Sequence, residues 1–299
     1  MKQATVRVPG SCGELVQGTL NGQNFLITCP INCYSEVTVS FGRHDSVGQA
    51  EPQHAKAHLA VDRTLRHFQT AARAYHISVR SLLPVGKGMA SSSADIGAAC
   101  LAAAACLGAE LSPRQVADIA LSIEPTDAVF FPGINMFDHR CGRICEFLGR
   151  PPDLEVLIFD LGGEVDTLAF NARTDLAEQN IKKEHIIKEA VALVREGIRA
   201  GDPALVGKAA TLSALANQAI LAKARLEEVL HLTWQSGALG VNVAHSGTVA
   251  GVLLDPYSPV DRPGLIRQIC QCFGQGKFVR QARLIGGGWE VISNKERTL

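Results

Sequence analysis

Pro84-Val-Gly-Lys-Gly-Met-Ala-Ser-Ser-Ser-Ala94 is the stretch whose reading decides the fold. It follows a segment in which Ile77 and Val79 alternate with polar residues, the period of a half-buried strand, and it opens a long apolar run. Gly86, Gly88 and Ala90 carry little or no side chain. After Pro84, which has no N–H, the backbone N–H groups of Val85, Gly86, Lys87, Gly88, Met89 and Ala90 can therefore approach an anion closely. Ser91, Ser92 and Ser93 fall in the first turn of the following helix, where amides without intrahelical partners and the helix dipole favour phosphate. A serine hydroxyl there can ligate Mg²⁺, and Lys87 can neutralise a phosphate oxygen. The plain alternative is a serine-capped helix after a glycine turn.

Working outward, the helix after this loop spans about 92–108 and is apolar on every side, which places it inside a domain. Upstream, Val6 and Val8, then Val37 and Val39, mark two more alternating strands. Leu65, Phe68, Ala72 and Tyr75 recur at helical steps and predict a helix over 55–75. Ser112-Pro113 opens a third helix, with serine as N-cap and proline at the first helical position, and Gly133–Asp138 reads as a strand. Gly149-Arg-Pro-Pro-Asp153 is the most punctuated stretch in the middle of the chain. A boundary there gives two domains, 1–150 and 151–299. The second half reads as a strand at Leu154–Phe159 and a helical stripe through Ile187, Val191, Val194 and Ile198. Helices near 203–217, 221–235 and 261–273 and strands near 240–244, 248–254 and 282–292 complete it. That order predicts an α+β architecture with helices on a mostly antiparallel sheet.

Composition narrows the ligand. The 299 residues are 46% hydrophobic and carry 29 Lys plus Arg against 29 Asp plus Glu, enough apolar material for two cores and no basic excess for a nucleic-acid partner. Neither a cationic amphipathic helix nor an apolar span of about 18 residues is found, so no membrane partner is expected. Met1–Pro9 lacks the apolar core of a signal peptide. The nine cysteines have irregular spacing, as expected of reduced, mostly buried thiols in a cytoplasmic protein. A small-molecule partner remains; oligomeric state is not legible.

The loop is not a Walker A motif, because no Gly-Lys-Ser or Gly-Lys-Thr occurs, and no Gly-x-Gly-x-x-Gly follows a first strand. Pro84–Ala94 instead resembles the second motif of the GHMP kinase superfamily, P-x-x-x-G-L-G-S-S-A-A, with Met89 at the Leu position, Ala90 at the second Gly and Ser93 at an Ala. Pro9-Gly-Ser-Cys-Gly-Glu-Leu-Val-Gln-Gly18 resembles the first motif, P-G-x-x-x-L-x-G. Ala244-His-Ser-Gly-Thr-Val-Ala-Gly251 stands where the family carries its third, glycine-rich loop. Together the three segments are similar to the branch that phosphorylates L-threonine to L-threonine O-3-phosphate, the precursor of the aminopropanol linker of cobalamin.

The resemblance implies a two-domain GHMP kinase fold: an N-terminal domain like ribosomal protein S5 domain 2 and a ferredoxin-like C-terminal domain. It implies ATP and Mg²⁺ as cofactors, with Ser92 and Glu124 as metal ligands. Ser246 and Gly247 would close on the phosphates. Asp127 stands near the position that some members use as general base, while others rely on positioning and charge alone. The first motif departs from the family, with Ser11 where many members have a basic residue and without the usual Gly-Glu-His ending. Ser11, Gly13, Glu14, Gln17 and His245 are the substrate-side candidates, Glu14 for the ammonium group and Gln17 as a hydrogen-bond partner. Arg140 is a candidate for the substrate carboxylate, and Lys87 and Asp127 are the catalytic candidates. The alternatives are a kinase of the same fold for homoserine or a sugar, or a sensor that has lost transfer.

Overall fold

The computed structural model describes residues 2–42, 54–70, 74–162, 173–272 and 277–296. Its spine is a hairpin of two long strands, β1 (Lys2–Leu20) and β2 (Gln23–Phe41). Asn21 and Gly22 turn between them at φ +50° and +74°, the two positive angles that match the twist of paired strands. The described strands form one ten-stranded antiparallel sheet. Its path is β5 (Cys145–Gly149), β4 (Ile134–Phe137), β2, β1, β7 (Gly240–Val243), β8 (Val249–Leu254), β6 (Glu155–Asp160) and β9 (Lys277–Arg283). Because β1 and β2 are so long, each has a third neighbour: β10 (Glu290–Glu296) pairs with Lys2–Arg7, and β3 (Tyr75–Ser81) pairs with Ser35–Phe41. The last strand of the chain thus lies against the first.

Helix α2 (Ser91–Leu107) is interior, as its composition predicts: thirteen of its seventeen residues are buried. Its one charge, Asp95, accepts a hydrogen bond from Ser35 of β2 at 2.5 Å. Helix α1 (Ala55–His67) packs beside it. The expected helix over 55–75 is shorter in the structure because Phe68 caps it and Gln69 takes a left-handed φ of +52°. Tyr75 belongs to β3, its hydroxyl bonded to Asp62 at 2.8 Å, and Ala72 lies outside the described residues. Helix α3 (Pro113–Leu121) starts on a capping box formed by Ser112 and Gln115, with Pro113 in its first turn.

The later helices are α4 (Leu176–Ala200), α5 (Pro203–Asn217), α6 (Leu226–Ser236) and α7 (Arg262–Cys272). Gly201 ends α4 at φ +68°, and the Asp202 carboxylate caps α5 through the amide of Ala204 at 2.8 Å. Helix α6 begins five residues later than the expected 221, after Arg225 in a left-handed conformation. The strand expected over 282–292 is two strands, β9 and β10, parted by Gly286–Gly288. The apolar interior gathers in a large cluster around β1, β2 and α2, and a smaller one in which Leu157, Val241 and Val252 meet Leu265 and Ile269. All nine cysteines are free thiols, five of them buried, and no described helix is long and apolar enough to cross a membrane.

Candidate active site

The three glycine-bearing segments meet backbone to backbone. The Ser11 amide donates to the Met89 carbonyl at 3.0 Å and the Gly13 amide to the Gly88 carbonyl at 3.2 Å. Opposite them, the amides of Thr248 and Val249 both donate to the Lys87 carbonyl, at 3.0 and 3.1 Å. Glycine is required at this seam. A Cβ on Gly247 would stand 2.3 Å from the Lys87 carbonyl oxygen, and one on Gly88 would stand 2.3 Å from Ala244 Cβ. The loop Pro84–Ala90 is thereby clamped between the first and third segments. It delivers α2 through Ala90, which holds φ +54°, the left-handed conformation that suits the glycine of the family pattern. No side chain caps α2, so its first-turn amides have no side-chain acceptor at the cap.

Two hydroxyl–carboxylate pairs sit at this helix start. Ser92 Oγ meets Glu124 Oε1, while Lys56 Nζ of α1 lies 2.5 Å from Glu124 Oε2. Ser93 Oγ accepts from the Asp127 amide at 3.0 Å and lies 3.3 Å from Asp127 Oδ2. Glu124 and Asp127 reach the helix from the turn after α3, where the Glu124 amide still bonds back to Ala120 at 3.0 Å. Burial pushes the Asp127 carboxyl up to about 6; its bond with Ser93 opposes the shift and the charge of Glu124 adds to it. Across from it, Glu14 of β1 is 4% exposed, and its Oε2 has no hydrogen-bond partner. Burial first, then the charge of Asp127, holds Glu14 well above the usual carboxylate range, against the neighbouring Thr28 hydroxyl.

Lys87 Nζ is 3.1 Å from Asp160 Oδ2, and Thr248 Oγ1 donates to Asp160 Oδ1 at 2.7 Å. Desolvation works against the Asp160 charge, but the bonds from Thr248, the Gly162 amide and Lys87 outweigh it and keep the carboxyl below its ordinary value. Lys223 Nζ, itself buried, donates to the Gly247 carbonyl.

Gln17, Arg140 and His245 line a cavity of about 190 Å³, the scale of a small amino acid rather than of a nucleotide, together with His139, Lys183 and Asn217. The His139 and His245 rings meet edge to face at 5.0 Å. Burial first, then the surrounding positive charges of His139, Lys183, Lys223 and Arg140, holds His245 well below the usual histidine range. Ser11 and Gly13 touch the phosphate-type loop through their amides and do not line this cavity. Ser246 is half-buried on the turn between His245 and Gly247. Lys56, Asp160, Lys183, Asn217 and Lys223 are site residues that the sequence does not single out. Each lies outside the three motifs, and a lone lysine on a helix carries no signal until the fold buries it.

The donor set suits Mg²⁺: Ser92 and Glu124 offer two hard oxygens. Among the described residues no group of three or more His, Cys, Asp or Glu converges as a self-sufficient metal cage, and Mg²⁺ bound with substrate phosphates needs none.

The chain is similar to known kinases over most of its length. The family profile described as GHMP kinases N terminal domain matches residues 55–131. The L-threonine kinase of Salmonella typhimurium is 35% identical over 258 residues, covering 84% of this chain and 83% of that protein. Among solved structures, homoserine kinase from Cytophaga hutchinsonii superposes with a TM-score of 0.71 at 15% identity, over 97% of both chains. A structure described as MDDEF in complex with MVAPP, AMPPCP and magnesium gives 0.68 at 15% identity, over 97% of this chain and 99% of that one.

Proposed function

This chain belongs to the GHMP kinase family and is a small-molecule kinase, and on that premise we propose that it transfers the γ-phosphoryl group of ATP to the side-chain hydroxyl of L-threonine. The products are L-threonine O-3-phosphate and ADP. The observation that carries the reading is the pair of hydroxyl–carboxylate contacts at the start of α2, Ser92 with Glu124 and Ser93 with Asp127, inside a loop clamped by two glycine segments. The choice of threonine rests on the relative named L-threonine kinase, which matches over most of the chain.

ATP's phosphates would lie on the Pro84–Ser93 loop, against the amides of Val85–Ser93, with Ser246 and Gly247 closing from the third segment. Ser92 and Glu124 would hold Mg²⁺, which when bound spreads the charge of the phosphate oxygens. Lys56 would stay beside Glu124, and Lys87 would neutralise a phosphate oxygen from its place between the loop and Asp160. Asp127 would accept the threonine hydroxyl proton as the oxygen–phosphorus bond forms and the bond to ADP breaks. A carboxyl lifted to about 6 is ionised at neutral pH and basic enough for that role. Glu14, buried without a partner for Oε2, would ionise against the substrate ammonium, with Gln17 and His245 beside it. The product would serve the aminopropanol linker of cobalamin, made in the cytoplasm.

Incubation with Mg-ATP and L-threonine, followed by mass spectrometry, tests the reaction. The proposal expects a phosphothreonine signal that grows in step with ADP; ADP without phosphothreonine sinks it.

A further inference from the structure

Lys183 is a buried ammonium whose hydrogen-bond partner among the described residues is a neutral amide. It stands on α4 with 4% of its surface exposed, and its Nζ donates to Asn217 Oδ1 of α5 at 3.0 Å. Burying a cation costs several kcal/mol unless an anion meets it. The nearby carboxylates are engaged elsewhere. Asp138 accepts the amides of Arg140, Cys141 and Arg143 at 3.0, 3.1 and 3.2 Å, and Glu184 takes the Asn21 amide at 3.0 Å and Lys188 at 3.0 Å. Lys183 also looks into the cavity of about 190 Å³, and other buried polar atoms of that cavity lack partners: Asn217 Nδ2, Gln17 Oε1 and both ring nitrogens of His139. Arg140 and the nearby Lys223 add positive charge around His245. Lys183 Nζ, Asn217 Nδ2 and Arg140 give this cavity donors for a small anion, while Gln17 Oε1 is an acceptor suited to a donor group of the same ligand.

We infer that this cavity holds the α-carboxylate of the amino-acid acceptor, with Lys183 Nζ and Asn217 Nδ2 as its donors. The inference rests on the kinase reading above and deepens it: it makes Lys183 the residue that separates amino acids from uncharged alcohols. The wall of the cavity connects to the transfer site, because the His139 carbonyl accepts the Thr126 amide at 2.9 Å, one residue from Asp127. An acceptor anchored by its carboxylate at Lys183 would present its hydroxyl past this wall toward Asp127. Burial lowers the Lys183 ammonium to about 8, so the site arrives in the free protein at an energetic cost that the ligand's charge offsets.

The test compares L-threonine with L-threoninamide, which keeps the hydroxyl and ammonium but loses the negative charge. Wild-type kcat/KM should be about 10- to 100-fold lower for the amide, the range of a charge-assisted hydrogen bond. Lys183→Met should lower kcat/KM for threonine by about the same 10- to 100-fold, mainly through KM. It should also erase most of the preference over the amide. The variant should unfold at a Tm no lower than wild type, since an apolar chain of similar volume replaces a buried charge. Asn217→Asp supplies a second arm: a carboxylate fixed beside Nζ should compete with the acceptor and raise KM for threonine selectively. Equal losses on both substrates, or an undiminished threonine preference in Lys183→Met, would overturn the inference, leaving Lys183 as a tie between α4 and α5. If wild type prefers homoserine, the threonine assignment fails while homoserine and its amide carry the same test. An acceptor without a carboxylate ends both.

Discussion

At the residue scale, Asp127 and Glu14 share a buried space in which two negative charges are costly, and this sets the pH behaviour of the site. Asp127 has to be ionised to take a proton, and burial has raised it to about 6. The value of kcat/KM should therefore fall on the acid side of pH 6. Asp127→Asn should remove that limb and lower kcat by about 10²- to 10⁴-fold; a wild-type profile flat between pH 5 and 7 would remove Asp127 from proton transfer. Stability runs the other way. With a folded value near 6 and an unfolded value of about 3.9, the folded state binds more protons between the two, so this residue's contribution is present below about pH 4 and is lost as pH rises through 6. Thermal melts should show Asp127→Asn stabilised relative to wild type at pH 7 and not at pH 4. Glu124→Gln should cut turnover at least about 100-fold and raise the Mg²⁺ requirement while circular dichroism stays unchanged. Glu14 could be nominated because it lies in the first motif, and Glu124 and Asp127 because they follow the third helix where the family resemblance implies a metal ligand and, in some members, a base. Lys56 and Lys183 were not, since their meaning comes from what the fold places beside them.

At the element scale, the site is a seam between loops rather than a pocket in one element. Gly247 and the Lys87–Gly88 backbone touch so closely that Gly247→Ala must part them. The expected outcome is destabilisation of about 1–3 kcal/mol and a disproportionate rise in KM for ATP, read from melts and initial rates; an alanine variant with wild-type KM would show that the seam does not shape the nucleotide site. Interior α2 and the Ser112 cap could be read directly, because all-round apolarity and a Ser-Pro start are local signals. The ends of α1 and α6 could not. Gln69 and Arg225 adopt left-handed angles that neither residue type advertises, and the helical stripe through Tyr75 runs on into a strand whose tyrosine docks on Asp62. The split of the expected 282–292 strand has the same character: three glycines mark a break, but nothing local says that the second piece returns to β1.

At the scale of the whole molecule, alternation announced the strands and the three motifs announced the family, yet the sheet joins the two halves of the sequence more closely than punctuation suggests. We propose a division at Gly149–Asp153, where the chain passes from β5 to β6. Even so, β10 pairs with Lys2–Arg7 and Glu14 of β1 pairs with Val243 of β7. Residues 1–150 expressed alone would leave both contacts unmade, so the full chain should unfold in one transition and the fragment should fail to give a cooperative melt. Two resolved transitions in the full chain would show that the halves are energetically separate. Saturating Mg-ATP should raise the single Tm, by about 2.7 kcal/mol of stabilisation at a hundredfold excess over Kd.

The central claim is that the clamped loop, Ser92 with Glu124, and Asp127 make an L-threonine kinase. The direct measurement is the rate of ADP release from Mg-ATP in the presence of L-threonine, L-serine, L-homoserine and a sugar alcohol, compared as kcat/KM. The account predicts the highest value for L-threonine; a value for homoserine or serine equal to or above it would contradict the account.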